Sequence, residues 1–80
     1  MFINKAVDGS NNLCGRKIYT LRRKMGISQR ELADRLQISG LDVDKNAIQR
    51  IEAGKRFVTD IELSLLATVF KKSIDELVMV

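Results

Sequence analysis

The 80-residue sequence has no proline, no tryptophan and no histidine, and Cys14 is its one cysteine. A single cysteine excludes an internal disulfide framework and fits a reducing compartment, so we expect a cytoplasmic protein. Zinc sites use thiolate and imidazole ligands, and this composition therefore predicts no zinc site. No apolar stretch approaches the length of a membrane span, and residues 1–10 lack the apolar run of a secretory signal.

The features of an enzyme active site are also scarce. Histidine is absent, and there is no glycine-rich phosphate loop. Asp42 and Asp44 are separated by one residue, but no third acid follows at the spacing of a metal-binding loop. We therefore expect no catalytic activity, no metal and no cofactor.

The residues that are abundant favour helices. The chain is 45% hydrophobic, 30% charged and only 5% aromatic, and leucine, isoleucine, arginine, lysine, glutamate and glutamine are frequent. This composition is typical of a folded globule, and the length allows one domain with a modest core. We expect an all-α domain over residues 12–80, preceded by an N-terminal arm at residues 1–11.

Helix starts are marked by capping sequences. Three segments have a hydroxyl residue followed three positions later by glutamate, a pattern that satisfies two free amides at a helix N-terminus. They are Ser28 to Glu31, Thr59 to Glu62 and Ser73 to Glu76. With the apolar periodicity, these caps predict five helices. The expected helices are residues 12–25, residues 29–36, a third helix capped by Asp44 and ended by Gly54, residues 60–70, and a short fifth from residue 74.

The same periodicity predicts the core. Apolar residues recur on one face of each predicted helix, and Cys14 is interpreted as a small apolar residue rather than as a redox sensor. Met25 and Phe70 are expected in the core. The other inward positions are Ile18, Leu21, Leu32, Ala33, Leu36, Ala47, Ile48, Ile51, Leu63, Leu66 and Ala67.

Charge is distributed unevenly along the chain. Residues 13–30 contain six basic residues and no acid, whereas residues 58–80 contain four acids and two lysines. Such asymmetry suits a protein that turns one surface towards a polyanion. A solvated helix face explains a basic stretch equally well, so charge alone leaves both interpretations open.

Four segments, taken in order, resemble a known family. They are residues 16–22 (RKIYTLR), 25–33 (MGISQRELA), 48–56 (IQRIEAGKR) and 74–77 (IDEL). Over about residues 13–78 the chain resembles the helix-turn-helix regulators that include the lambda and 434 phage repressors and the Xre-like repressors. The resemblance implies a five-helix, lambda-repressor-like domain. It also implies a transcriptional regulator, expected to be a repressor, that binds double-stranded DNA sequence-specifically as a homodimer.

One segment departs from the family pattern. The stretch from Leu36 to Ile48 is longer than the tight turn that joins helices 2 and 3 in the family. Either helix 2 is extended or the turn is a larger loop. Leu41 and Val43 are positioned to pack on the core and hold that loop.

The third helix carries the expected base-reading residues. A recognition helix must present polar side chains to the major groove while its other face is buried. Arginine and lysine donate to guanine, and asparagine and glutamine can pair with adenine. By this chemistry and by the resemblance, Lys45, Asn46, Gln49 and Arg50 are the expected base contacts. An ordinary solvated helix face is the alternative.

The resemblance also implies a set of phosphate contacts and one ion pair. Gln29 lies at the first turn of helix 2, where free amides and the helix dipole favour a phosphate. Lys55 and Arg56 follow helix 3, and Arg16 and Lys17 are expected to add attraction. In the related repressors, residues at the positions of Arg22 and Glu52 form an interhelical ion pair, and we expect the same structural role here.

A second function is compatible with the same fold. A protein-interaction module, such as an antitoxin or an anti-repressor partner, would use the fold without reading DNA. The apolar C-terminus, residues 77–80, and the arm segment at residues 2–7 are the candidate surfaces for a protein partner or for the homodimer.

Overall fold

The computed structural model describes residues 5–79, and over this range it contains five α-helices and no strand. Because these residues form helices and no strand, the all-α prediction is confirmed. Phe2, Ile3 and Val80, which belong to the candidate contact surfaces, lie outside the described residues. The helices are α1 (Gly15–Met25), α2 (Gln29–Ile38), α3 (Lys45–Glu52), α4 (Asp60–Phe70) and α5 (Ile74–Val78).

Two of the three predicted capping boxes form completely, at the starts of α2 and α4. The third is only half formed. The Ser73 hydroxyl accepts from the Glu76 amide at 3.2 Å, but the Glu76 carboxylate does not reach the backbone of Ser73. It accepts from the Ser73 hydroxyl and pairs with Lys72 at 3.7 Å instead. A nearby lysine therefore competes for the carboxylate that would close the box.

The first helix begins later than predicted. It starts at Gly15 rather than near residue 12. The Asn12 Oδ1 atom accepts from the Gly15 amide at 2.8 Å, which supplies a partner for a free N-terminal amide. The Asn12 side chain therefore stabilises the start of the helix at Gly15.

The helices enclose one core. Both α1 and α2 contact α3, while α4 packs on α2 and α5 closes the bundle against α1 and α4. Apolar faces on all five helices supply the core, as the periodicity predicts. Residues that are completely or almost completely buried are Ile18, Leu32, Leu36, Ile48, Ile51, Leu66 and Leu77, and Phe70 is also buried.

The prediction that Met25 lies in the core is wrong, since 40% of its surface is exposed. Helix α1 ends in a left-handed turn at Gly26, with hydrogen bonds from Gly26 to Arg23 and from Ile27 to Arg22. This C-terminal motif commonly turns the residue after the glycine back onto the helix. Ile27 is buried here and occupies the core position in place of Met25.

The connection between α2 and α3 combines both alternatives that the sequence left open. Helix α2 extends to Ile38, and residues 39–44 form a loop. Val43 is buried and Leu41 packs against the core, as expected. The Gln37 side chain donates to the carbonyl of Val43 at 2.7 Å, which fixes the loop to the helix it leaves. The longer connection is therefore part of the packed structure.

Cys14 has the packing role expected of it. Its side chain is buried beside the start of α1, and burial raises the pKa of its thiol to about 11. Because the thiolate is the reactive form, this environment disfavours redox sensing.

Candidate nucleic-acid interface

Helix α3 is defined by two strong end signals. Asp44 caps it by accepting from the Ala47 amide at 2.8 Å. At the other end, the backbone amide of Lys55 donates to the carbonyl of Arg50, and the backbone amide of Gly54 donates to that of Ile51. This is the hydrogen-bond pattern of a Schellman motif. Gly54 has a φ of +74°, which glycine adopts without strain. A helix of eight residues is thus capped at both ends.

The two faces of α3 differ in burial and in chemistry. Ile48 and Ile51 are buried in the core, and this leaves the polar face in solvent. The four predicted base-contact residues are all exposed, and no ion pair among residues 5–79 engages either of the two cations. Their side chains are therefore available to a ligand. They are Lys45, Asn46, Gln49 and Arg50.

Part of this face forms a shallow depression of about 350 Å³. Asn46 and Arg50 line it together with Asp44, Ala47 and Arg56. The depression thus joins an amide and a guanidinium from α3 to an arginine from the turn that follows. The carboxylate of Asp44 is the one negative group among these lining residues.

The predicted partners Arg22 and Glu52 are brought together in the interior. The Arg22 Nε atom donates to Glu52 Oε2 at 2.6 Å and Nη2 donates to Oε1 at 3.0 Å, so the contact is bidentate. A third bond runs from Arg22 Nη1 to the carbonyl of Ile27 at 3.0 Å. The side chains of the pair are 9% and 5% exposed. The pair therefore joins α1, the turn before α2 and the end of α3.

Gln29 is connected to this pair. Its Nε2 atom donates to Glu52 Oε1 at 3.1 Å, which holds the side chain beside the last turn of α3. The capping box at Ser28 satisfies the amide of Glu31. Among the described residues, the amides of Gln29 and Arg30 have no hydrogen-bond partner. The N-terminus of α2 therefore presents free donors next to α3.

Lys55 and Arg56 behave differently from one another. Lys55 is exposed at the turn after α3. The Arg56 guanidinium donates to Glu62 Oε2 at 2.8 Å, and its side chain is 30% exposed. Burial raises the pKa of Glu62, but hydrogen bonds from Arg56 and the Thr59 backbone outweigh this and hold it below its ordinary value. The sequence indicated Glu62 as a capping residue, and only the fold reveals its ion pair.

Arg16 and Lys17 lie on α1, and both are exposed. They line a groove of about 620 Å³ that also includes Ala53 and Gly54. The groove runs past the C-terminal end of α3, so both cations belong to the surroundings of that helix. Two basic residues of α1 thus lie beside the end of α3, although they are distant from it in sequence.

Two further residues at this end were not indicated by the sequence. Asn11 lies at the end of the predicted N-terminal arm and Asn12 at the predicted start of the first helix, and neither was given a role. In the structure both donate from their side chains to carbonyl groups of the turn after α3. Asparagine side chains commonly bond to the local backbone. No sequence signal identified a partner 44 positions away.

The candidate partner surfaces at the two ends are more limited than expected. Leu77 is completely buried in the core, so it does not form part of an exposed C-terminal surface. Met79 is 69% exposed, and in the other candidate segment Val7 is fully exposed.

No helix in residues 5–79 has the length and apolar character needed to span a membrane.

These helices, with a capped helix whose polar face is exposed and surrounded by basic residues, define a helix-turn-helix DNA-binding domain. The chain belongs to the helix-turn-helix family of the Cro/C1 type, whose members resemble the lambda and 434 repressors. The family model, described as helix-turn-helix, matches residues 18–77. A search of curated proteins and a search of solved structures found no match.

Proposed function

We propose that this protein is a sequence-specific transcriptional regulator, and a repressor, that inserts α3 into the major groove of double-stranded DNA. The observation that carries the proposal is the division of α3 into a buried apolar face and an exposed face of basic and amide side chains. Major-groove readout requires such side chains on a helix that the core holds rigidly. The repressor role is supported by the kind of family to which the chain belongs.

Base reading is assigned to four positions on α3. Lys45 and Asn46 occupy the first turn, and recognition helices contact base edges mainly through their N-terminal residues. Arg50 lies one turn further along and shares the depression with Asn46. Gln49 is adjacent and exposed. Arg50 is suited to guanine and Asn46 to adenine, because each can form two hydrogen bonds to that base.

Phosphate contacts are assigned to the residues around the two ends of the helix-turn-helix. Gln29 and the free amides beside it would bind one phosphate, and Lys55 would bind another. Arg16 and Lys17 contribute longer-range attraction from α1. Arg56 contributes less than Lys55, because Glu62 already binds its guanidinium. These contacts set the orientation of α3 without specifying sequence.

The protein is expected to bind as a homodimer on a two-fold symmetric operator. In helix-turn-helix dimers the half-sites lie about 34–36 Å apart, one turn of DNA. A helix as short as α3 reads only a few base pairs, so a second copy supplies the length of site that specificity needs.

The test is selection of binding sequences from a random duplex pool at several salt concentrations. Wild type is compared with Arg50→Ala and Lys55→Ala. Arg50→Ala should weaken binding to the selected site by about 1–3 kcal/mol and relax the preference at one position. Lys55→Ala should weaken binding to all sequences alike and reduce the salt dependence by about one phosphate contact.

Lys72→Ala is the matched control, because it removes one positive charge between α4 and α5. It should retain the wild-type site and nearly the wild-type salt dependence. If wild type enriches no sequence and its binding disappears at moderate salt, the basic surface provides only nonspecific attraction. The regulator proposal then fails, and a protein partner becomes the function to test.

Asp44→Asn should tighten DNA binding. Asparagine caps helices about as well as aspartate, so stability should change by less than about 1 kcal/mol. The substitution removes a negative charge from the depression that Asn46 and Arg50 line. Affinity for duplex DNA should rise by about twofold to fivefold at low salt, and less at high salt. Fluorescence anisotropy measures the change.

Asp60→Asn, in the first turn of α4, is the control for this substitution. It removes the same charge from a helix start outside α3 and should alter affinity much less. Equal effects of the two substitutions would show that Asp44 has no special proximity to DNA, against the proposed docking of α3.

A further inference from the structure

The turn after α3 is bound to the segment that precedes α1. The backbone amide of Asn11 donates to the carbonyl of Gly54 at 2.8 Å, and its side chain donates to that of Lys55 at 2.9 Å. The Asn12 side chain donates to the carbonyl of Arg56 at 2.8 Å. Three successive peptide carbonyls, at residues 54–56, are thus held from outside the turn.

Asn12 also fixes both helices that meet here. Its Nδ2 atom donates to the carbonyl of Ile51 at 3.1 Å, one of the α3 carbonyls close to the C-terminus, while its Oδ1 accepts from the Gly15 amide. One side-chain amide therefore caps the start of α1 and binds the last turn of α3. The start of α1 and the end of α3 are joined through this residue.

The packing around these bonds leaves little space for adjustment. A Cβ atom on Gly54 would lie 3.0 Å from Ser10 Oγ, and one on Gly15 would lie 2.9 Å from Asn12 Oδ1. The segment at residues 10–12 therefore lies directly against the turn. A displacement of this segment would move the peptide groups on both sides of Lys55.

We propose that Asn11 and Asn12 are positioning residues for DNA binding. They hold the backbone that carries Lys55, so that its ammonium group meets a phosphate when α3 occupies the major groove. Neither asparagine has to contact DNA for this role. The inference rests on the proposed function, because it assumes that Lys55 binds the DNA backbone.

Asn11 is the better position for a test, because truncation there should not unfold the domain. The side chain makes one hydrogen bond, and its Oδ1 atom is buried without a partner among the described residues. A buried acceptor without a partner is unfavourable, so Asn11→Ala removes an unfavourable group together with a favourable bond. The backbone bond from Asn11 to Gly54 remains. Thermal unfolding checks that the variant is folded.

The experiment is a double-mutant cycle on duplex DNA carrying the sequence that wild type selects. Dissociation constants are measured by anisotropy for wild type, Asn11→Ala, Lys55→Ala and the double variant. Asn11→Ala should weaken binding by about threefold to tenfold, the factor of one ordinary hydrogen bond. In the Lys55→Ala background the same change should alter affinity by less than about twofold, since no side chain remains to be positioned. Thr68→Ala, which removes a side-chain-to-backbone bond on α4, should bind as wild type does.

An equal loss in both backgrounds would show that Asn11 acts through general stability, and the inference would be overturned. It would also be overturned if Asn11→Ala bound as tightly as wild type, or if Lys55→Ala had no effect. In these cases wild type still selects a sequence, and the proposed function stands. If wild type itself selects no DNA sequence, the proposed function fails and the positioning role fails with it.

Discussion

Arg22→Ala should lower the stability of the domain more than any substitution of an exposed cation. The change removes both hydrogen bonds to Glu52 and the bond to the Ile27 carbonyl. Glu52 would keep only the Gln29 amide as a side-chain partner while remaining buried. Removing one partner of a buried ion pair costs about 3–5 kcal/mol, because the other charge is left without compensation.

Thermal unfolding followed by circular dichroism measures this effect. A loss of this size lowers the Tm of a domain of this length by about 12 °C or more. Arg23→Ala is the matched control, because Arg23 is exposed and, like Arg22, lies over the ring of Tyr19. Arg22→Met combined with Glu52→Met should recover much of the loss, since an apolar pair leaves no buried charge. An unchanged Tm in Arg22→Ala would contradict the structural role of the pair.

Gly15→Ala should also destabilise the domain, although alanine is the better helix former. In the interior of a helix, alanine is ordinarily favoured over glycine by about 0.5–1 kcal/mol. Here an added Cβ would collide with the carbonyl oxygen of Ile51 and would crowd Asn12 Oδ1. Both atoms take part in the Asn12 hydrogen bonds, so α1 and α3 would have to separate. Crowding of this kind costs about 1–3 kcal/mol.

Chemical denaturation of Gly15→Ala beside Gly26→Ala separates the two ways in which a glycine can be required. Gly26 has a φ of +70° but has open space where a Cβ would lie, so its substitution meets only backbone strain. Gly15 is not in the left-handed region, so its substitution causes a steric clash with neighbouring atoms but no backbone strain. A Gly15→Ala protein as stable as wild type would show that α1 can move away from α3 without cost. The close approach would then have no structural importance.

The helices themselves were largely predictable. Helix α4 has the predicted ends because its capping box marks the start and its apolar face continues to Phe70. The ends of α3 were predictable in the same way, since Asp44 caps its start and Gly54 follows its end. The division of α3 into two faces also followed from spacing alone. The family model matches residues 18–77, in agreement with the resemblance found over about residues 13–78.

The differences arose where neighbouring groups competed for one core position or one hydrogen-bonding partner. Met25 fits the apolar face of α1, but the turn at Gly26 brings Ile27 to the core in its place. Arg56 belongs to a basic segment, yet it meets Glu62 from the next helix. The third capping box lost its carboxylate to Lys72 and to the Ser73 hydroxyl. In each case the competing partner could not be ranked before the chain was folded.

Sequence alone determined the class of fold, the capped ends of α3 and the residues on its exposed face. These properties depend on caps and on helical periodicity, which act over one or two turns. Only the tertiary structure decided how that helix is held. Asn11 and Asn12 bind carbonyls about 40 residues away, and Gln29 binds the buried Glu52 carboxylate that the resemblance had paired with Arg22 alone. Hydrogen bonds between distant segments depend on the meeting of backbones in space, and periodicity carries no information about that meeting.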